Sequence, residues 1–316
     1  MKKKIIFIFG VSGQDGTYLA NLLINKKFKI FGFKRLLKKN NLKNLKKLSI
    51  LKKINLFQYS EKKTDFIEKC ILKYKPSQIY YLSGLSSVSK SFLEPLDTYK
   101  SNIIVLFNIL EICRKNKLKI KIYNSASTDC FGNQKKICNE NTSFQPLSPY
   151  AKSKSYAFWL VKYYRETFKV SCVNGILSNH ESVLRNKNFV SKKIIDYVNK
   201  FNIKKKLIMG NTNIYRDWGW APDYVEAIYK INTSLKRSDY IVATGRSISL
   251  NYFIKKAFYI KNIDKNFYIK NNNKYLRNKE INKVYCDTRK IKRDLGWKPK
   301  HSIDQVIKKL INKDLL

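Results

Sequence analysis

Acidic residues and histidines are scarce in this chain of 316 residues. Asp and Glu number 22 against 65 Lys and Arg, which gives a formal net charge of +43. The two histidines are His180 and His301. No cluster of His, Cys and carboxylate residues has the spacing of a zinc site. The sequence therefore predicts no metal centre.

Cysteine is also sparse, and long apolar runs are lacking. The six cysteines include no C-x-x-C pair, and a chain of this length needs no disulfides to be stable. No apolar run reaches the roughly 18 residues that span a bilayer. The apolar run at 5–9, which follows three lysines, ends at Gly10, too early for a signal peptide, so it predicts a first strand. We expect a cytoplasmic protein with reduced thiols and no membrane partner.

The basic residues are spread along the whole chain. Lysines recur from Lys2 to Lys313, usually beside Asn and Ile, rather than in one cluster. A nucleic-acid site needs clustered charge, so this spread favours a compositional bias and predicts no nucleic-acid partner. A surface of one sign still attracts anions, including a sugar nucleotide diphosphate.

Strand-like and helix-like segments alternate through the first half of the chain. Short apolar runs at 5–9, 28–33, 55–59, 78–82, 119–124 and 170–174 are separated by helical patterns, such as those at 99–113 and 151–168. This alternation predicts an α/β fold with a Rossmann-type, doubly wound parallel sheet. Beyond residue 175 the alternation loosens, so we expect a smaller C-terminal α/β lobe that binds substrate. We assign 1–175 to the Rossmann domain, with a return at 213–235, and 176–212 and 236–316 to the lobe.

A glycine-rich turn joins the first strand to the first helix. Gly10, Gly13 and Gly16 form a G-x-x-G-x-x-G pattern at this junction. Glycines let the backbone approach a pyrophosphate, and the helix N-terminus supplies N–H donors and a positive dipole end. The turn predicts a dinucleotide site; a merely structural tight turn is the alternative.

Two basic residues follow the second strand, where NAD enzymes usually carry Asp or Glu for the ribose hydroxyls. Here the chain has Lys34 and Arg35. Their positive charges would attract the 2′-phosphate of NADP, so we predict NADP as the cofactor. The alternative is two ordinary surface charges.

Tyr150 and Lys154 form a Y-x-x-x-K pair, which a helix places on one face. A neighbouring cation is expected to lower the pKa of the phenol, so that Tyr150 can act as a general base. The pair comes after an apolar strand that ends in Ser127 and Asp129. Those side chains are expected at the carboxyl edge of the sheet, where ligands bind.

These features together resemble the extended short-chain dehydrogenase/reductase family, whose members act on nucleotide sugars. The segments 10–16, 174–182 and 216–225 look like the signature segments of the GDP-mannose 4,6-dehydratase family. Supporting matches at 148–151, 163–166, 243–245 and 295–299 extend the resemblance over nearly the whole chain.

The resemblance implies a hydro-lyase that converts GDP-mannose to GDP-4-keto-6-deoxymannose. It implies that Tyr150 deprotonates the sugar 4-hydroxyl with Lys154 beside it, while hydride passes to NADP. Asp129 stands where the family carries an acid/base Glu, and Ser127 where it carries a Thr. Asp shortens the reach by one methylene, and a misplacement of about 1 Å can cost on the order of 100-fold in rate.

The resemblance also assigns binding residues and an assembly. Gln14, Asp15 and His180 join the glycines, Arg35, Tyr150 and Lys154 around the cofactor, although a lone His is more often structural. The positions that hold the GDP-sugar substrate are Asn179, Lys192, Arg216, Arg277 and Glu280. The aromatic helix at 156–164 implies a homo-oligomer, a dimer or a tetramer.

Two other functions stay open from the sequence alone. The same fold and cofactor also suit an epimerase or reductase of another nucleotide sugar. A basic nucleic-acid-binding or scaffold protein on a decayed Rossmann fold would instead show steeply salt-dependent DNA binding.

Overall fold

The computed structural model describes residues 3–35, 37, 42–61, 65–269, 272 and 280–316. Arg277, which the resemblance assigns to the substrate site, lies outside the described residues.

Strands and helices alternate in chain order. The strands are β1 (Ile5–Phe9), β2 (Lys29–Lys34), β3 (Ile54–Gln58), β4 (Gln78–Tyr81), β5 (Lys121–Ser127), β6 (Cys172–Leu177), β7 (Asn179–Glu181), β8 (Leu207–Ile208), β9 (Tyr215–Trp220), β10 (Tyr240–Val242), β11 (Ser247–Ser249) and β12 (Tyr268–Ile269). The α-helices are α1 (Gln14–Asn25), α2 (Lys43–Lys47), α3 (Asp65–Tyr74), α4 (Val88–Leu93), α5 (Pro95–Lys115), α6 (Pro149–Phe168), α7 (Val190–Asn199), α8 (Ala221–Thr233), α9 (Leu250–Ile260), α10 (Arg289–Leu295) and α11 (Ile303–Asn312).

The central sheet has seven parallel strands in the order β10-β6-β5-β4-β1-β2-β3. The predicted Rossmann-type, doubly wound α/β fold is therefore confirmed. The strand order reverses between β1 and β4, and such a switch point opens a crevice at the carboxyl ends of the strands. Gly10 follows β1 and Leu82 follows β4, so both lie at this crevice.

Helices cover both faces of the sheet. On one face α5 and α6 pack together over apolar side chains such as Phe7, Ile79 and Ile122. On the other face α1 packs against α8 over Ile8, Tyr80 and other buried side chains. The strands are apolar on both sides because both faces are covered.

A smaller set of elements stands beside the carboxyl edge of the central sheet. The strands β11, β9 and β7 form one small sheet, and β12 pairs with β8 in another. The helices α7, α9 and α11 enclose a separate core that includes Trp218 and Phe253. Since β7 begins two residues after β6 ends, it brings residues 179–181 close to the crevice.

Among the described residues, no helix is both long and apolar enough to cross a membrane.

Candidate active site

The glycine turn after β1 has no room for side chains at two positions. A Cβ atom on Gly10, whose φ is +84°, would lie 2.8 Å from the carbonyl oxygen of Leu82. A Cβ atom on Gly16 would lie 2.2 Å from the carbonyl oxygen of Gly10. Gly13 precedes α1, and no side chain caps this helix terminus. The first N–H groups of α1 are therefore available to an anion, which fits the predicted pyrophosphate site.

Two adjoining cavities open at the crevice. The turn cavity is lined by Gly10, Ser12, Gly13, Gln14, Asp15, Gly16, Lys34, Arg35, Leu82, Ser83, Gly84, Ser86 and Arg185. The catalytic cavity is lined by several serines and by Asp129, Tyr150, Lys154, Asn179, His180, Arg185 and Arg216. Asp15 and Arg185 line both. A dinucleotide held on the glycine turn would therefore extend toward the catalytic cavity.

The four predicted catalytic residues meet at the catalytic cavity. Ser127 ends β5, and its hydroxyl accepts a hydrogen bond of 3.2 Å from the backbone N–H of Asp129, in the 3-10 helix Thr128–Phe131. Tyr150 and Lys154 lie one turn apart near the start of α6. This helix begins there because Ser148 caps it, accepting from the N–H of Ala151 at 3.1 Å, and Pro149 suits the first turn.

Burial shifts the pKa values of both members of the Tyr-Lys pair. It lowers the pKa of Lys154 to about 8, while the ammonium donates to the carbonyl oxygen of Ser125 at 2.9 Å. For Tyr150, burial first and then the nearby charge of Asp129 raise the pKa above its ordinary value, against a hydrogen bond from Ser127 that lowers it. The expected lowering of the phenol pKa by Lys154 is therefore wrong here. Desolvation outweighs the lowering by a nearby cation because Tyr150 is half-buried and the ammonium of buried Lys154 donates its hydrogen bond to the carbonyl oxygen of Ser125.

Asp15 and His180 form a hydrogen-bonded pair between the first turn of α1 and β7. Nε2 of His180 lies 3.0 Å from Oδ1 of Asp15, and Nδ1 lies 2.7 Å from the carbonyl oxygen of Ser178. Burial raises the pKa of Asp15, but the charge and hydrogen bond of His180 outweigh it and hold the value at about 2. Burial lowers the pKa of His180, and Asp15 reverses this to a net rise. His180 thus serves as a hydrogen-bonded link as well as lining the catalytic cavity.

Gln14 reinforces the same junction. Its amide donates to the carbonyl oxygen of His180 at 3.0 Å and accepts from the hydroxyl of Ser182 at 2.8 Å. The side chain of Gln14 therefore ties α1 to β7, while its position at the helix terminus still borders the turn cavity.

Lys34, the last residue of β2, and Arg35, which follows it, both line the turn cavity. Lys34 donates from Nζ to the hydroxyl of Ser12, and Arg35 forms an ion pair of 3.1 Å with Glu61. Both side chains are positioned at the strand end next to the glycine turn. They concentrate positive charge where the ribose side of a dinucleotide would lie.

The predicted substrate residues divide into two groups. Asn179 and Arg216 line the catalytic cavity, and Arg216 lies 3.6 Å from the carboxylate of Glu280. Lys192 instead forms an ion pair of 2.7 Å with Asp196 one turn further along α7. It is not among the described residues that line the catalytic cavity.

In the described part of the chain, no group of three or more His, Cys, Asp or Glu side chains is arranged to hold a metal ion.

Arg185 is a residue that the sequence did not single out. It lies between the two cavities, forms an ion pair of 3.3 Å with buried Glu181, and lies 3.7 Å from the ring centre of Phe189. In a chain with 65 Lys and Arg, nothing in the pattern distinguishes this cation. Only the folded structure shows that Arg185 lies at both cavities.

Known proteins match the chain over nearly its full length. The sequence profile of the family described as GDP-mannose 4,6 dehydratase matches residues 7–310. GDP-mannose 4,6 dehydratase 1 of Arabidopsis thaliana is 32% identical, over 99% of this chain and 90% of that protein. GDP-mannose 4,6-dehydratase of Vibrio cholerae is 30% identical, over 100% of this chain and 94% of that protein.

A solved structure shows the same fold. The dTDP-glucose 4,6-dehydratase of Bacillus anthracis, in complex with NAD, superposes with a TM-score of 0.86 over 98% of this chain and 96% of the other. At 18% identity this likeness concerns the fold. The profile match and the relatives carry the assignment further: the chain belongs to the GDP-mannose 4,6-dehydratase family.

Proposed function

We propose that the protein is a hydro-lyase that converts GDP-mannose to GDP-4-keto-6-deoxymannose. The observation that carries this proposal is the meeting of Ser127, Asp129, Tyr150 and Lys154 at a cavity that adjoins the glycine turn. A hydroxyl, a carboxylate, a phenol and an ammonium at one site supply the acid and base groups for oxidation followed by elimination. Membership of the family supports the same reaction.

Each side chain has a distinct role in this proposal. Tyr150 takes the proton of the sugar 4-hydroxyl, and Ser127 orients that hydroxyl by a hydrogen bond. Lys154 supplies a positive charge at the cavity, where its ammonium is held by the carbonyl oxygen of Ser125. Asp129 removes the proton from carbon 5 and passes it to the hydroxyl that leaves carbon 6 as water. A bound nicotinamide dinucleotide would supply the acceptor for the hydride of carbon 4 and the donor for carbon 6. The proton that Tyr150 took from the 4-hydroxyl then balances the one lost in water, by protonation of carbon 5.

We propose a nicotinamide dinucleotide, specifically NADP, as the cofactor. The fit rests on the glycine turn, where Gly10 and Gly16 tolerate no Cβ atom, and on the uncapped N-terminus of α1. NADP is favoured over NAD because Lys34 and Arg35 border the turn cavity. A guanidinium forms bidentate hydrogen bonds with a phosphate group, which a 2′-hydroxyl cannot match.

Replacing Arg35 with alanine is expected to weaken NADP binding while leaving NAD binding nearly unchanged. A hydrogen bond to a charged group contributes about 1.5–3 kcal/mol, so the dissociation constant for NADP should rise about 10- to 100-fold. Titration calorimetry with both dinucleotides measures this. The control is Lys29→Ala, which removes the same charge at the opposite end of β2. Equal losses for NADP and NAD would contradict the role of Arg35.

We propose that a nucleotide sugar, specifically a GDP-sugar, occupies the catalytic cavity. Arg216 lines that cavity and is paired with Glu280, while Asn179 lies at the start of β7. A cation and an amide suit a diphosphate and a sugar hydroxyl. Lys192 and Arg277 remain predicted substrate contacts.

We also propose that the protein forms a homo-oligomer through α5 and α6. These packed helices expose a group of large apolar and aromatic side chains: Ile104, Phe107, Tyr156, Trp159, Tyr163 and Phe168. An exposed apolar surface of this kind is typical of a protein interface. The choice between a dimer and a tetramer remains a prediction, as do the domain boundaries given above and a cytoplasmic location.

Trp159→Glu is expected to dissociate the oligomer, because it places a charge in the middle of this apolar face. Sedimentation velocity should show at least a tenfold weaker association, in line with the effect of about 2 kcal/mol or more for a central interface residue. Leu235→Glu is the matched control, since Leu235 is exposed but lies beyond α8. A Trp159→Glu protein with unchanged association would place the interface elsewhere.

The proposed reaction is tested by incubating the purified protein with GDP-mannose and catalytic NADP. Mass spectrometry should show a product lighter by one water, with no net accumulation of NADPH. Unchanged GDP-mannose with a folded, NADP-binding protein would instead favour an epimerase or reductase of another nucleotide sugar.

A further inference from the structure

A buried carboxylate lies behind the catalytic cavity, on β9. Asp217 is 4% exposed and accepts hydrogen bonds from three consecutive backbone N–H groups. These come from the turn between β10 and β11, at 2.9 Å from Thr244, 2.8 Å from Gly245 and 3.1 Å from Arg246. A buried carboxylate is costly unless it is well hydrogen-bonded, so the surrounding backbone is held in one arrangement by this charge.

The same carboxylate also holds the end of the central sheet. The hydroxyl of Ser178, just after β6, donates to Oδ1 of Asp217 at 3.1 Å and lies 2.6 Å from the hydroxyl of Tyr224. The backbone of Ser178 then connects to the site, because its carbonyl oxygen lies 2.7 Å from Nδ1 of His180. The ring of Tyr224 stacks on His180 with centres 4.6 Å apart.

From His180 the chain of contacts continues to the glycine turn. The imidazole meets Asp15 at 3.0 Å in the first turn of α1, so a continuous path joins Asp217 to the helix that borders the turn cavity. On the other side, Asp217 follows Arg216 directly in β9, and Arg216 lines the catalytic cavity. Asp217 is thus linked by hydrogen bonds to the cofactor side through Ser178, and it adjoins the substrate side as the chain neighbour of Arg216.

We propose that Asp217 is a positioning residue that holds His180 and Arg216 in their positions relative to each other. In this way it couples cofactor binding to nucleotide-sugar binding. This inference rests on the proposed function, since it takes NADP and GDP-mannose as the two ligands. Asp217 touches neither ligand. It acts through Ser178 and Tyr224 on His180, and through the backbone of β9 on Arg216.

Asp217→Asn tests the proposal because the amide keeps the shape but cannot accept from every donor that now surrounds the carboxylate. We expect the dissociation constant for NADP and the KM for GDP-mannose to rise together, each by about tenfold or more, since binding groups displaced by about 1 Å lose much of their effect. Ser178→Ala is a milder second variant, which removes the hydroxyl that links Ser178 to Asp217 and Tyr224. It leaves the Ser178 carbonyl that meets His180 and the backbone bonds of Asp217. It should weaken NADP binding about threefold or more, with little change in Tm.

The control is Asp223→Asn. Asp223 is equally buried at 3% exposure and accepts from the backbone N–H groups of Lys300 and His301, but it lines neither cavity among the described residues. Its loss should lower Tm without changing either binding constant at temperatures below the transition. If Asp217→Asn and Ser178→Ala behave like this control, Asp217 is only structural and the inference is wrong. If Asp217→Asn does not fold, the NADP affinity of Ser178→Ala alone decides whether Asp217 is a positioning residue. A wild-type protein that binds neither ligand would instead overturn the proposed function.

Discussion

Tyr150→Phe should reduce the turnover of GDP-mannose by about 100- to 10,000-fold, the usual contribution of a general acid or base. The substitution removes one oxygen atom at the catalytic cavity and keeps the ring that packs at the start of α6. Burial and the charge of Asp129 raise the pKa of the phenol, so at neutral pH the hydroxyl is protonated in the free protein. To act as the base, Tyr150 must first release that proton to solvent and then take the proton of the sugar hydroxyl. No other phenol lines this cavity among the described residues.

The measurement is kcat at saturating GDP-mannose, with NADP affinity determined separately. Tyr156→Phe provides the matched control, because Tyr156 lies on the same helix but is 56% exposed. It should retain the wild-type rate. A Tyr150→Phe protein with a rate within tenfold of the wild type would remove Tyr150 from the proposed role.

Asp129→Asn should stop the reaction after the first oxidation. The amide is close in shape to the carboxylate but cannot take the proton from carbon 5, so product with water lost should fall by at least about 100-fold. Since oxidation at carbon 4 uses Tyr150 and not Asp129, NADPH should appear at up to about one equivalent per active site in a single turnover. Rapid mixing with absorbance detection, followed by mass spectrometry, separates the two steps. Full turnover by this variant would exclude Asp129 as the acid/base.

Asp129→Glu complements Asp129→Asn, because it lengthens the side chain by one methylene and keeps the carboxylate charge. If the short side chain limits elimination, the added methylene should raise the rate, by up to about 100-fold for a correction of about 1 Å. The backbone N–H of Asp129 is held by the hydroxyl of Ser127 at 3.2 Å, so the local backbone should stay in place. A rate as low as that of Asp129→Asn would show that the site is built for the shorter carboxylate.

The sequence by itself determined the parts that depend on neighbours along the chain. A short apolar run, glycines at close spacing and a helical pattern were sufficient to predict the turn at Gly10, since local backbone freedom decides it. The Y-x-x-x-K spacing likewise placed Tyr150 and Lys154 on one face of a helix, because the period of a helix is fixed. The alternation of strands and helices predicted a parallel sheet, and the fold confirms it.

Only the tertiary structure decided which distant residues meet and how their charges behave. The strand order brings β5 and β6 side by side, and β7 then sets His180 against Asp15, 165 positions away. No periodicity encodes that contact, because it arises from the packing of whole layers. Burial likewise reversed the expected direction of the Tyr150 pKa, and it placed Arg185 between the cavities. Desolvation depends on what surrounds a group in three dimensions, so the sequence could predict candidate reacting groups, while only the fold determined their environment.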